Sequence, residues 1–212
     1  MNLYNADCLP AMRVMKDNHF SLAIIDPQYG IGMDNQYVRV KPNRPNTYIR
    51  NGESQYKKGE WDDAPPPPEY FEQLFRVSKN QIIWGANYFC KYLPSGFGWV
   101  YWDKQMGDNN FSSGEFAFQS MQVKSSCFSC PSMRVKNTRI HPTQKPVALY
   151  KWLLTNYAKP GDTILDTHLG SGSSVIACLE MGFEITGYET DSEYFEAMNE
   201  RIKQYQSQRR MF

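Results

Sequence analysis

The feature that most restricts the fold of this chain is a short apolar segment that leads through a glycine-rich turn into a helical pattern. Residues Thr163–Asp166 are apolar or β-branched and end in an acid, and Gly170 and Gly172 follow before a helix that starts at Ser173. Glycines in such a turn let the backbone approach a ligand, and the first turn of the helix offers free N–H groups. This strand, turn and helix therefore predict a parallel sheet whose carboxyl edge binds a ligand.

Further strand and helix patterns alternate along the chain. Strands are predicted at 22–26, 81–84, 99–102, 116–123 and 184–189, and helices at 12–17, 69–77, 146–157, 173–181 and 192–206. The alternation predicts a doubly wound α/β fold, with a mostly parallel sheet and helices on both faces. We expect a single domain over 1–212, with polar insertions at 30–68 and 104–139.

Charge and cysteine content restrict the class of protein. The 23 Lys and Arg residues nearly balance 22 Asp and Glu residues, so attraction to phosphate has to come from local clusters. Five cysteines, an odd number, favour a reducing cytoplasm over a disulfide framework, and no run of apolar residues is long enough for a membrane segment. The basic residues of the irregular segments are Arg39, Lys41, Arg44, Arg50, Lys57, Lys58, Lys124, Arg134, Lys136 and Arg139.

A carboxylate at the end of the next predicted strand indicates a nucleoside ligand. Glu189 ends the strand at 184–189, about twenty residues after the glycine turn, where a carboxylate can accept both hydroxyl groups of a ribose. The turn and Glu189 together predict a nucleoside cofactor. They do not distinguish a dinucleotide from S-adenosylmethionine.

The motif after the first predicted strand decides between these cofactors. Residues 26–29 read Asp-Pro-Gln-Tyr, which resembles the Asp-Pro-Pro-Tyr signature of the DNA amino-methyltransferases. The resemblance extends over nearly the whole chain through His-Pro-Thr-Gln-Lys-Pro at 141–146, the segment 166–174 and Gly-Tyr-Glu at 187–189. The catalytic motif precedes the cofactor motif, as in the β-type order of that family. The resemblance implies a class I methyltransferase that uses S-adenosylmethionine, with a Rossmann-like fold.

The chemistry of this family explains why such a motif is needed. An exocyclic amine conjugated to a base is a poor nucleophile, so the site has to accept its hydrogens and aim the nitrogen at the methyl group. We expect the Asp26 carboxylate and the Pro27 carbonyl oxygen to accept the two N–H groups, and Tyr29 to stack on a base flipped out of the duplex. Asp rather than Ser at position 26 favours N6 of adenine, with N4 of cytosine as the alternative.

The resemblance also implies which residues bind S-adenosylmethionine. Asp7 is expected to bind the adenine amine of the cofactor or, equally, to cap the helical stretch that follows it. Thr143 and Lys145 are expected to line the methionine end, and Asp26 to contact the cofactor as well as the amine. The remaining predicted cofactor residues are Asp166, His168, Gly170, Gly172, Ser173 and Glu189.

Three residues depart from the family pattern. Gln28 replaces the second proline of the signature, which should reduce preorganisation of the loop. Thr167 and His168 stand where the family has proline and phenylalanine, and a protonated imidazole would repel the cofactor sulfonium. These departures keep open a second class of function, a catalytically silent DNA-binding partner subunit. Methylation of RNA or of a protein glutamine is a third.

The partner expected from the resemblance is DNA with a flipped adenine. The two insertions are the expected recognition segments, and Tyr56 and Trp61 are the candidate aromatic contacts. A recognition region of this size fits a short target sequence or a homodimer. Cys127 and Cys130 have the spacing of metal ligands, but no regular spacing supplies two more, so no metal is expected.

Overall fold

The computed structural model describes residues 1–32, 62–106, 112–131 and 139–209. The predicted contact residues Arg39, Lys41, Arg44, Arg50, Tyr56, Lys57, Lys58, Trp61, Arg134 and Lys136 lie outside these ranges. No helix in the described ranges is long and apolar enough to cross a membrane.

The elements in chain order are β1 (Asn2–Asn5), α1 (Cys8–Val14), β2 (Phe20–Ile25), α2 (Pro68–Val77), β3 (Ser78–Trp84), two 3-10 turns (Ala86–Tyr88 and Cys90–Tyr92), β4 (Trp99–Asp103), β5 (Gly114–Gln119), β6 (Ser126–Ser129), α3 (Val147–Tyr157), β7 (Thr163–Asp166), α4 (Ser173–Met181), β8 (Glu184–Glu189) and α5 (Ser192–Arg209).

The strands form one sheet in the order β1-β8-β7-β2-β3-β5-β4-β6. Strand β5 runs antiparallel to both of its neighbours, β3 and β4, and the other neighbouring pairs are parallel. This confirms the predicted mostly parallel sheet. From β7 the chain continues to β8 on one side, whereas from β2 it continues to β3 on the other side. The connections therefore diverge between the adjacent strands β7 and β2. Ligands of open α/β sheets bind at the carboxyl ends of the strands at such a point.

Helices cover both faces of the sheet, as predicted. Successive side chains of a strand point to opposite faces, and on β2 Leu22 and Ile24 pack in one apolar cluster with α3, α4 and α5. Ala23 and Ile25 pack in a second cluster with α1 and α2. Because β2 is buried on both faces, the residues that follow it start from a rigid position.

Three local predictions are wrong. Helix α1 begins at Cys8 rather than at residue 12, because Asp7 caps it by accepting the N–H of Leu9 at 2.9 Å. The edge strands β1 and β6 were missed, the second inside a segment expected to be irregular. Both are short and largely exposed, so they lack the alternating apolar pattern that would identify them.

Candidate active site

The loop after β2 is closed by contacts within the Asp-Pro-Gln-Tyr motif. The Tyr29 hydroxyl donates to Oδ1 of Asp26 at 2.7 Å, and Pro27 between them is buried. The Tyr29 ring stacks on Tyr88, with 5.0 Å between ring centroids and 20° between planes. Tyr88 is 46% exposed, so this aromatic pair borders solvent at the carboxyl edge of the sheet.

Two residues that the sequence analysis did not single out shape this loop. Oδ1 of the buried Asp62 accepts the backbone N–H groups of Tyr29 and Gly30, both at 2.8 Å. Gly85 follows β3 with a φ of +69°, and a Cβ atom there would lie 2.1 Å from the Tyr29 ring. The only sequence signal for Gly85 is that a glycine directly follows a strand. Asp62 lies in the polar insertion at 30–68, where no sequence pattern indicates its role.

The Asp26 carboxylate belongs to a cluster of four charged side chains, with Lys145, Glu115 and Lys104. Nζ of Lys145 donates to Oδ2 of Asp26 at 2.5 Å and to Oε2 of Glu115 at 2.9 Å. Nζ of Lys104 donates to the other Glu115 oxygen at 2.5 Å. Exposure of the Lys145 side chain is only 2%, so its charge depends on the two carboxylates. The sequence analysis missed Glu115, which no motif contains.

The charges of this cluster set the ionisation of its members. Burial, together with the Glu115 charge, raises the pKa of Asp26 by more than Lys145 and Tyr29 lower it. Burial also acts to raise the pKa of Glu115, but Lys145 and Lys104 outweigh it and hold that pKa at about 2. For Lys145, burial acts to lower the pKa, and Asp26 and Glu115 raise it above its ordinary value. Asp26 is therefore the carboxylate of the pair that is more easily protonated.

The glycine turn after β7 carries the predicted cofactor residues. Gly170 and Gly172 have φ values of +47° and +71°, the left-handed region that favours glycine. Oε2 of Glu189 accepts the N–H of Gly170 at 2.8 Å, and Oε1 accepts the N–H of Asp191 at 3.0 Å. Burial raises the pKa of Glu189. The structure thus brings Glu189 and the turn together at the ends of neighbouring strands.

Asp166 and Ser173 lie at the base of the same turn. Oδ1 of Asp166 accepts the N–H of His168 at 3.0 Å, and Oδ2 accepts the hydroxyl of Ser174 at 2.5 Å. Burial raises the pKa of Asp166 to about 7. Ser173 is buried, and its hydroxyl oxygen accepts Nη1 of Arg201 at 3.1 Å. Asp166 therefore holds the backbone of the turn through the N–H of His168, and Ser173 contacts Arg201, which donates to the Ser171 carbonyl oxygen of the turn.

His168 belongs to a network of hydroxyl groups. Its Nδ1 lies 2.9 Å from Oγ1 of Thr167, which lies 2.6 Å from the hydroxyl of Tyr70. The rings of Tyr70 and His168 meet edge to face at 5.5 Å. Burial lowers the pKa of His168 to about 4, so the imidazole is neutral at pH 7. The expected repulsion of a sulfonium is absent at that pH.

The two remaining predicted cofactor residues make different contacts. Thr143 approaches Nδ1 of His141 with its hydroxyl at 3.1 Å and its N–H at 3.3 Å. Burial lowers the pKa of His141 to about 4. The His141 ring packs beside the glycine turn, 3.7 Å from the position that a Cβ atom on Gly170 would take. Asp7 is exposed and caps α1, which was one of its two expected roles. It follows β1, whose last residue pairs with Glu189.

The predicted site residues therefore lie along one edge of the sheet. Strands β1, β8, β7 and β2 are neighbours and parallel, and their carboxyl ends carry Asp7, Glu189, Asp166 and Asp26. In the described ranges no three His, Cys, Asp or Glu side chains are grouped to hold a metal ion. Cys127 is exposed and Cys130 is buried, and both are free thiols.

This strand order, with a glycine turn at the point where the connections diverge, is the fold of class I S-adenosylmethionine-dependent methyltransferases. Residues 83–200 match the family model of the DNA methylases that modify amino nitrogens, N6 or N4. The chain belongs to this DNA methylase family.

Curated relatives carry the names of type II methyltransferases. The chain is 37% identical to M.HpaI of Haemophilus parainfluenzae over 67 residues, which are 32% of this chain and 21% of that protein. It is 26% identical to M2.MboI of Moraxella bovis over 143 residues, 66% of this chain and 47% of that protein. The chain thus spans less than half the length of these relatives.

Solved structures of methyltransferases share the fold. The complex of M1.HpyAVI with S-adenosylmethionine superposes with a TM-score of 0.58 at 20% identity, over 94% of this chain and 98% of that one. The cytosine-N4-specific PvuII DNA methyltransferase superposes with a TM-score of 0.57 at 12% identity, over 93% of this chain and 84% of that one.

Proposed function

We propose that this chain transfers a methyl group from S-adenosylmethionine to the N6 amino group of adenine in DNA. One observation supports this more than any other: Asp26 directly follows β2 and the glycine turn follows β7, and these two strands are neighbours, with Ala23 opposite Leu165. An amine acceptor and a nucleoside site would thus lie next to each other at one edge of the sheet. Membership of the DNA methylase family supports the same function.

The residues present fit S-adenosylmethionine. Glu189 offers a carboxylate to ribose hydroxyls beside a turn of left-handed glycines. Asp7, being exposed, is free to accept an amine in addition to the N–H of Leu9. His168 and Thr143 would line the methionine end, and His168 meets the sulfonium as a neutral ring. When bound, the cofactor supplies the electrophilic methyl group.

Asp26, Pro27 and Tyr29 would prepare the amine. Oδ1 of Asp26 has a lone pair beyond the one that accepts the Tyr29 hydroxyl, and together with the Pro27 carbonyl oxygen it would accept the two N–H groups. This turns the nitrogen lone pair towards the methyl group. The stacked pair of Tyr29 and Tyr88 offers an aromatic surface to the flipped base.

The proton balance places few demands on Asp26. Attack of the nitrogen on the methyl group makes the nitrogen cationic, and a cationic amine loses its proton readily. Asp26 then only has to accept that proton and pass it to water. A carboxylate with a raised pKa accepts it more readily than an ordinary one.

The proposal also covers which base is methylated and how the protein recognises its DNA. Asp at position 26 favours N6 of adenine as the target. The N4 amine of cytosine has the same geometry, and one of the similar solved structures is a cytosine-N4-specific enzyme. The insertions at 30–68 and 104–139 would recognise the target, alone or as a homodimer. Light scattering of the DNA-bound protein would decide between one copy and two.

The test is transfer of labelled methyl from S-adenosylmethionine to mixed-sequence duplex DNA, with RNA and protein as competitors. Nucleoside digestion and mass spectrometry then identify the product. We expect N6-methyladenine with the wild-type chain and none with Asp26→Ala. N4-methylcytosine would keep the mechanism and change the base, and label in RNA or protein instead would reject DNA as the substrate.

A silent DNA-binding subunit is the second candidate, favoured by Gln28 in the signature. Such a protein would bind duplex DNA without measurable affinity for S-adenosylmethionine. Titration calorimetry with the cofactor alone separates the two functions. Binding of the cofactor together with methyl transfer rejects the silent subunit.

A further inference from the structure

We infer that Glu115 is a positioning residue for methyl transfer: it shares the buried ammonium of Lys145 with Asp26, so that Lys145 occupies Oδ2 of Asp26 and Oδ1, which accepts the Tyr29 hydroxyl, keeps a lone pair for the substrate amine. The inference rests on the proposed function. Glu115 lies on β5, outside every motif that the sequence analysis identified.

The surroundings of Lys145 show how strictly its ammonium is held. It donates to Asp26 at 2.5 Å and to Glu115 at 2.9 Å, and the Tyr29 hydroxyl lies 3.3 Å away. It also lies 5.4 Å from the centroid of the Trp84 ring. An ammonium has three donors, so Asp26, Glu115 and Tyr29 account for all of them.

The sheet fixes Glu115 in this position. On the antiparallel partner strand β4, Trp102 lies directly opposite Glu115, and Lys104 holds the second carboxylate oxygen at 2.5 Å. The Glu115 side chain is 23% exposed, so it is largely shielded from water. Glu115 therefore reaches Lys145 from a rigid strand and cannot readily turn away.

Removal of the Glu115 charge would change what Lys145 does to Asp26. The ammonium would then have Asp26 as its only anionic partner, and the Asp26 carboxylate would be drawn fully into that ion pair. The oxygen reserved for the amine would then be turned away from it. A misplaced acceptor lowers the rate of transfer without touching the cofactor.

A titration reports the same change. The groups that face Asp26 are Tyr29, Lys145 and Glu115, with Tyr150 and Asp166 interacting at longer range. Among them the Glu115 charge raises the pKa of Asp26. Its removal should lower that pKa, and the acid limb of the kcat profile, which follows ionisation of Asp26, should move to lower pH.

The experiment compares Glu115→Gln with the wild type and with Glu180→Gln. Glu180 is a matched control because its side chain is 19% exposed and it also pairs with a lysine, Lys151, and neither residue belongs to the charged cluster of Asp26, Lys145, Glu115 and Lys104. For Glu115→Gln we expect kcat to fall roughly tenfold or more, with the cofactor KM unchanged and the acid limb shifted to lower pH. Glu180→Gln should change neither kcat nor the profile.

A second readout does not depend on activity. The Asp26 carboxyl carbon, followed by NMR over a pH series, should titrate at lower pH in Glu115→Gln than in the wild type. The Glu115→Asp variant keeps the charge and should restore the wild-type titration and part of kcat. An unshifted titration and profile in a folded Glu115→Gln protein would overturn the inference. Absence of methyl transfer by the wild type would reject the proposed function, while the titration still decides the role of Glu115.

Discussion

The Asp62 carboxylate accepts the backbone N–H of Tyr29 at 2.8 Å, and the same oxygen accepts that of Gly30. A buried side chain from a distant part of the sequence thus fixes the loop that holds Asp26. We predict that Asp62→Ala lowers kcat about tenfold to a hundredfold, because the motif loses its preorganised geometry. We also predict a loss of roughly 1–3 kcal/mol in the free energy of unfolding for the unpaired N–H groups.

Asp62→Asn is the matched control for this prediction. Its amide oxygen can still accept both N–H groups, so most of the activity and stability should return. Steady-state transfer and urea unfolding measure the two quantities. Wild-type kcat in Asp62→Ala would show that the loop does not need this anchor.

Gly85 and Gly182 allow the position of the Tyr29 ring to be tested separately from backbone strain. Their φ values are +69° and +77°, so alanine costs a similar 1–2 kcal/mol or so at both. Only at Gly85 would the added Cβ meet the Tyr29 ring, whereas nothing lies within 4 Å at Gly182. We therefore predict that Gly85→Ala lowers kcat well below that of Gly182→Ala, with a larger loss of thermal stability because the Tyr29 ring has to move. Equal kcat in the two variants would contradict the role of the Tyr29 position.

The parts of the site that could be predicted from the sequence are those carried by local patterns. Asp26, Asp166 and Glu189 each end an apolar strand, and Gly170 and Gly172 mark a turn into a helix, so a few consecutive residues indicate their position. Because parallel strands end at the same edge of a sheet, their proximity follows from the fold class alone.

The parts that could not be predicted depend on contacts between distant segments. Glu115 meets Lys145 only after β5 has paired with β3, and Asp62 reaches Tyr29 from within a polar insertion. Strand β1 is a polar edge strand whose identity depends on pairing with β8. Each of these roles depends on a contact that forms only in the folded chain, so the local sequence pattern does not indicate it.

Gln28 gives a prediction about how much the departure from the family signature costs. Asp26, Pro27 and Tyr29 are retained, and Oδ1 of Asp26 still accepts the Tyr29 hydroxyl, so the wild type should be active. Gln28→Pro should raise kcat by less than about tenfold, because proline restricts the preceding residue to extended conformations. Cofactor affinity should not change. Activity that is present only in Gln28→Pro, with both proteins saturated by cofactor, would disprove this prediction.

His168 gives a prediction about pH, and its sign follows from burial. Burial lowers the pKa of His168 from 6.5 to about 4, so the unfolded chain binds this proton at a higher pH than the folded one. As pH falls from about 7 towards 4, the free energy of unfolding should therefore fall, because His168 takes up a proton when the chain unfolds. His168→Phe should remove that part of the loss, roughly 1–3 kcal/mol at pH 4 relative to pH 7.5.

Cofactor binding should follow the same ionisation. Because the imidazole is neutral, the wild type and His168→Phe should show the same pH dependence of S-adenosylmethionine affinity between pH 8 and pH 6, to within about twofold, whereas protonation of His168 near pH 4 places a cation beside the sulfonium. In His168→Phe the affinity should depend less on pH below about 5. Calorimetry at several pH values, with urea unfolding under the same conditions, measures both effects. A wild-type affinity that falls between pH 7.5 and 6, and does not fall in His168→Phe, would mean that His168 is charged in the folded protein near neutral pH.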